Sequence, residues 1–255
     1  LIDILSVLAT LFGLATSLGL GVQQVASGLN YLFGFPDKVG YAVLLIGIIT
    51  FFATLSVVAG LDNGVRRLSS ANLYMAGIFM LFIIIVGPTV YILKAFTQNL
   101  GFYLQNLPQL SFWVETYHGA EGSSWQNLWT IFYWGWWISW SPFVGMFIAR
   151  VSKGRTVREF ILGVMILPTL LSFFWMSTLG GSALHLQSLG IADIASAVEE
   201  NVSTALFVML ENFPLTGVTS FVGVVLVTIF FITSSDSGSL VVDHLTSGGK
   251  LDSPV

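Results

Sequence analysis

The chain has 255 residues, of which 55% are hydrophobic and only 9% charged, with a net charge of −4. Soluble domains carry about 25% charged residues, so this composition excludes a soluble enzyme, a disordered chain and a nucleic-acid binder, which needs a basic face. Cysteine is absent, and with it any disulfide, iron–sulfur cluster or thiolate metal site. An all-α polytopic membrane protein remains. The chain opens at Leu1 directly on an apolar segment and is read as an internal piece of a longer protein.

The charges act as punctuation. Uncharged runs of 33 residues after Asp3, 23 after Lys38, 26 after Arg67, 28 after Glu121, 33 after Glu159 and 24 after Glu211 each exceed the roughly 20 residues a spanning helix needs. Six transmembrane helices are predicted, over 4–28, 39–61, 72–97, 125–150, 158–183 and 215–243. Three lie in 1–98 and three in 119–255. Between them, 99–118 mixes apolar residues with Gln and Asn and reads as an outer amphipathic linking helix. A second outer amphipathic helix is predicted at about 194–211, with acids opposite its apolar face.

Orientation follows from Lys and Arg. Arg66, Arg67, Arg150, Lys153, Arg155, Arg158 and Lys250 fall on one side, and only Lys38 and Lys94 on the other. Positive residues accumulate on the cytoplasmic side, so the loops 62–71 and 150–158 are predicted to be cytoplasmic. The Arg150–Arg158 cluster reads as a topology anchor that touches anionic lipid.

The first span carries small residues every four positions: Ala9, Gly13, Ser17 and Gly21. Such a face lets helix backbones approach closely in lipid. Thr10, Thr16 and Ser17 could also offer oxygens to an ion, or bond back to the preceding turn.

The fourth span, WQNLWTIFYWGWWISWSPFVGMFIAR, carries an aromatic stripe. At about 100° per residue, with Phe132 at zero, Trp136 lies near 40°, Trp140 near 80° and Phe143 near 20°, while Trp137 flanks the stripe near 140°. Trp125 and Trp129 fit an interfacial belt, but the stripe crosses mid-span, where each indole N–H needs a partner. Packing and ligand lining both account for it. A metal ion wants oxygen ligands, whereas a quaternary ammonium has no N–H to satisfy and suits π faces, each worth about 0.5–2 kcal/mol. Pro142 and Gly145 weaken the helix just beyond, as at many transporter sites.

The sixth span holds the polar run Thr233, Ser234, Ser235, Asp236 and Ser237. Local capping explains it; so does a sodium site built from the Thr233 and Ser234 hydroxyls with freed backbone carbonyls. Asp236 is an intramembrane acid and a functional candidate on that ground, or the partner of a cytoplasmic Arg. His118, His185 and His244 have no metal-ligand spacing and read as solvated or interfacial. No metalloprotease, P-loop or nucleophile-elbow motif occurs, and no enzyme activity is expected. An ion channel would use the stripe for packing alone.

The run Trp129–Phe160, WTIFYWGWWISWSPFVGMFIARVSKGRTVREF, resembles the signature of the betaine–choline–carnitine transporter family, and Asp3–Gln24 and Ile232–Gly249 agree with it. The resemblance implies a partial LeuT-type inverted-repeat bundle, with the six spans as transmembrane helices five to ten and 99–118 as the link between repeats. It implies that Trp136, Trp137 and Trp140 form part of a trimethylammonium cage, with Phe132 beside them. It implies Na⁺ at Thr233 and Ser234, and a second Na⁺ at Thr10 and Phe143, where Leu14 replaces a further hydroxyl. The expected function is Na⁺-coupled symport of a quaternary ammonium osmoprotectant, glycine betaine, by a homotrimer in the inner membrane. The alternative is choline or carnitine transport on the same fold, driven by H⁺ or by exchange. Na⁺ is the coupling ion and no further cofactor is expected; lipid is a partner and nucleic acid is not.

Overall fold

The computed structural model describes residues 1–36, 38–58, 64, 66–117 and 125–247. Glu121 and Lys250, used above for a boundary and for orientation, and His118 lie outside the described residues. No strand occurs among the described residues.

Helix α1 (Ile2–Phe33) runs without an internal proline and stops where Gly34 enters the left-handed region at φ 66°, its N–H bonding to the Asn30 carbonyl. That geometry closes a helix end at no steric cost to glycine, and Pro36 prevents continuation. Helix α2 (Val39–Val58) buries only Ile49, Ala53 and Ser56. Helix α3 (Arg66–Val86) ends sooner than the expected 97, because Gly87 and Pro88 break the run and α4 (Thr89–Phe112) starts at once. The helix that covers most of 99–118 therefore begins at Thr89, well before the expected 99, and buries only Ile92.

A π-helical turn, Gln126–Ile131, leads into α5 (Phe132–Val151), the aromatic helix. Next, α6 spans Val157–Ser188. Its start is fixed by a capping box: the Thr156 hydroxyl accepts from the Glu159 N–H, and the Glu159 carboxylate accepts from the Thr156 N–H. A π-helical turn at Leu162–Ile166 precedes Pro168. Pro168 cannot donate to the carbonyl one turn back and would crowd it, and a widened turn relieves that clash.

The single surface helix expected at 194–211 is instead three pieces: α7 (Ile194–Asn201), a 3₁₀ turn at Val202–Thr204 and α8 (Ala205–Leu210). The Asn201 side chain accepts the Ser203 N–H and breaks the helix. Beyond it the apolar run turns inward, leaving Phe207, Met209 and Leu210 buried. The chain closes with α9 (Thr216–Thr246).

Five helices, α1, α2, α3, α6 and α9, are long and apolar enough to cross a membrane. The sixth expected span, α5, falls outside that set because its tryptophans, tyrosine, serines and Pro142 depress its mean hydropathy. Twenty residues at about 1.5 Å each still reach about 30 Å, the hydrocarbon thickness.

Helix α1 is the central post. Its small seam packs antiparallel on α9: a Cβ on Gly21 would meet the Phe231 ring, one on Gly28 would meet Val224, and Leu14 fills the space over Gly238. Val22 of α1, Ile49 and Ala53 of α2 and Ile232 of α9 form one core cluster. A larger one joins Phe79 and Ile83 of α3, Leu186 of α6, Ile194 of α7, Leu210 of α8 and Leu226 of α9. Tyr31 stacks on Phe207 at 5.2 Å, and its hydroxyl donates to Glu211. The segment 194–211 is thus a wedge in the core.

Candidate substrate and ion sites

The α5 stripe is built from α1 outward. Gly13 is where the two helices touch: a Cβ there would lie 2.7 Å from Ser139 Oγ and 3.2 Å from Trp140 Cδ1. One turn on, the Ser17 hydroxyl accepts from Trp136 Nε1 at 2.9 Å and from Trp140 Nε1 at 3.0 Å. Ser139 Oγ donates to the Trp136 carbonyl at 2.7 Å. The indoles of Trp136 and Trp140 thus share the partner that a low-dielectric surrounding demands.

The expected residues distribute as follows. Phe132 sits edge-on to Trp136 at 5.4 Å between ring centres, and Phe143 edge-on to Trp140 at 5.1 Å. Phe143 is buried, and Trp136 and Trp140 are half-buried. Trp137 stands off the stripe and is 74% exposed. The structure therefore joins Phe132, Trp136, Trp140 and Phe143 into one aromatic wall on α1, and leaves Trp137 on its open flank.

At the expected sodium positions, Thr233 Oγ1 donates to the carbonyls of Ile229 and Phe230, both at 3.0 Å. Among the described residues, no hydrogen bond to Thr233 Oγ1 as acceptor accompanies these two. Ser234 beside it is half-buried. The freed carbonyls expected here are not seen, because α9 continues as a helix through both residues. Thr10 is 2% exposed, and its hydroxyl has no hydrogen-bond partner. The antiparallel register that pairs Gly13 with Trp140 sets Thr10 opposite Phe143, one turn further along each helix. Leu14, where a further hydroxyl was sought, is the knob over Gly238.

Asp236 is 1% exposed; its carboxylate accepts from Ser56 of α2 at 2.8 Å and from Ser237 at 3.1 Å. The alternative reading paired Asp236 with a cytoplasmic Arg; the partners the structure supplies are hydroxyls. Sequence reasoning missed Ser56, which looks like any small residue in an apolar run. It also missed Asn72, 1% exposed with both amide atoms unpartnered; a lone Asn in an apolar span is the signal that could have found it. His185 stacks on Tyr91 at 4.3 Å, and His244 is buried rather than solvated. Outside the spans, Asp193 caps α7, and hydrogen bonds from the Ser196 hydroxyl and N–H hold its carboxyl below the usual Asp range. Among the described residues no group of three or more His, Cys, Asp or Glu could hold a metal ion.

Among the described residues, a multi-pass helical membrane protein buries hydroxyls, one amide, one carboxylate and one imidazole, and lines a helix–helix contact with indole N–H groups; such a set of scattered polar groups suits binding a solute. The model of the betaine/carnitine/choline family transporters (BCCT) matches residues 1–255, and the chain belongs to that family, one of transporters and not of enzymes. It is 52% identical over 255 residues to a glycine betaine/proline/choline transporter of Vibrio parahaemolyticus, covering 100% of this chain and 45% of that protein. It is 49% identical over 251 residues to a glycine betaine transporter of Bacillus subtilis, covering 98% and 48%. A glycine betaine transporter of Acinetobacter baylyi is 48% identical over 255 residues, covering 100% and 38%. The chain spans about half the length, or less, of these curated relatives.

Proposed function

We propose that the chain is part of a Na⁺-coupled symporter that carries glycine betaine, an osmoprotectant, across the inner membrane. The carrying observation is the aromatic wall of Phe132, Trp136 and Trp140, held by one hydroxyl of α1 at mid-helix, with Trp137 on its open flank. The trimethylammonium group lies against these faces. About 0.5–2 kcal/mol per face is enough for three faces to select such a headgroup. The names of the three relatives support this solute.

In this reading Na⁺ binds at the Thr233 and Ser234 hydroxyls, and a second Na⁺ between Thr10 and Phe143, where an unpartnered buried hydroxyl supports it. Na⁺ binding biases the equilibrium between outward- and inward-facing states. The whole protein holds two inverted five-helix repeats joined by α4, which lies near the threefold axis of a homotrimer. The ends of the expected loops 62–71 and 150–158 are helical, from Arg66 and Val157 on and up to Val151; these basic segments face the cytoplasm, with anionic lipid against them. Choline is the second reading, since the name of the Vibrio relative includes it.

Uptake of radiolabelled glycine betaine by the full-length protein in proteoliposomes tests the coupling. The expected result is accumulation under an inward Na⁺ gradient, its loss in K⁺ buffer, and a raised Na⁺ requirement in Thr233→Ala. Equal uptake without Na⁺, driven by a pH gradient, would overturn the coupling ion.

A further inference from the structure

The side chain of Ser17 is 5% exposed and lies where α1 meets the tryptophan wall. A serine hydroxyl has two acceptor lone pairs and one hydrogen. Here both lone pairs are taken, by Trp136 Nε1 at 2.9 Å and Trp140 Nε1 at 3.0 Å. An indole N–H can only donate. Trp136 and Trp140 are one helical turn apart, with Cβ atoms about 5–6 Å from each other. Two donors that converge from that spacing on a single oxygen have their ring orientations fixed together. The neighbouring seam reinforces this: Gly13 brings no side chain to the contact, and any Cβ there would press on Ser139 and Trp140.

We propose that Ser17 is a positioning residue for the solute: its oxygen is the shared acceptor that sets the angle at which the Trp136 and Trp140 faces meet the bound cation. The proposal rests on the aromatic cation site argued above. Ser17 acts through the tryptophans and does not touch the solute. Because the acceptor is on α1 and both donors are on α5, a shift between those helices strains both hydrogen bonds at once. Solute affinity is then tied to the seating of α5 on α1.

The test uses full-length protein with Ser17→Ala, Ser17→Cys, Ser17→Thr and Trp140→Leu, and reads glycine betaine binding together with the ultraviolet resonance Raman band that reports indole N–H bonding. Cysteine keeps the volume of serine but offers a weak sulfur acceptor. Ser17→Ala and Ser17→Cys are each expected to weaken binding about 10-fold, with the indole band moving toward its unbonded position. Ser17→Thr, which keeps the oxygen, should stay within about threefold of wild type. Wild-type binding in Ser17→Cys would overturn the proposal, since volume alone would then suffice. If Trp140→Leu weakens binding while Ser17→Ala and Ser17→Cys do not, the positioning role fails and the cation site stands. Unchanged binding in Trp140→Leu would overturn the cation site itself.

Discussion

At Gly21 a β-carbon would stand 2.1 Å from the Phe231 ring, closer than any real contact, so that ring or the helix must move to admit one. Gly19, two residues earlier, has open space around it. Gly21→Val is expected to cost about 1–3 kcal/mol of stability by overpacking, whereas Gly19→Ala stays within about 0.5 kcal/mol; thermal unfolding of the detergent-solubilised full-length protein measures both. The seam was legible because small residues every four positions define a face. What each glycine meets was not, because that depends on the register between helices roughly 200 residues apart in the chain. Asp236 shows the same division. Its place inside a span marks it in the sequence, but nothing marks Ser56, 180 residues away, as the hydroxyl that bonds it. The aromatic stripe was legible from helical periodicity alone, down to Trp137 standing aside from Phe132, Trp136 and Trp140. The acceptor that organises it was visible only as one more small residue.

Helix ends follow local chemistry, which charge spacing does not register: the first span was expected to end at 28 and runs to Phe33. Gly34 with Pro36, and Thr156 with Glu159, stop and start helices by satisfying or removing backbone donors. The expected third span exceeds α3 because its uncharged run continues past Gly87 and Pro88, and charge spacing is blind to proline. The segment 194–211 was misread for a different reason: its apolar positions repeat helically, yet Asn201 offers the backbone a local bond that interrupts the helix. Asp193 gives the element scale its pH dependence. Its carboxyl is depressed in the folded state, so the α7 cap contributes stability above the unfolded value of 3.8 and loses it as pH falls through the lower folded value. Deuterium uptake by the 194–201 segment, corrected for intrinsic exchange rates, should therefore rise as the solution is acidified below about pH 4. In Asp193→Ala it should already be raised at neutral pH. An acid profile identical in the two proteins would remove the cap from the account.

For the whole molecule, α1 ties the other elements together: its small seam receives α9, its Ser17 receives α5, and Val22 joins α2. Composition and charge spacing were enough to read a polytopic helical protein, because lipid forces every spanning backbone to satisfy itself. Charge spacing alone does not separate the aromatic helix from the five more apolar ones, because tryptophan, serine and proline are uncharged yet lower its mean hydropathy. The central claim is that α5 recognises a positive charge spread over methyl groups, not merely a branched apolar shape. The most direct test compares binding of glycine betaine with binding of its neutral-headed isostere, 3,3-dimethylbutanoate, to the full-length protein and to Trp136→Leu and Trp140→Leu. Cation–π recognition predicts that glycine betaine binds the wild type at least about 10-fold more tightly, and that this preference falls toward unity in each variant. Equal affinities of the wild type for the two compounds, or a preference untouched by loss of either indole, would contradict the claim.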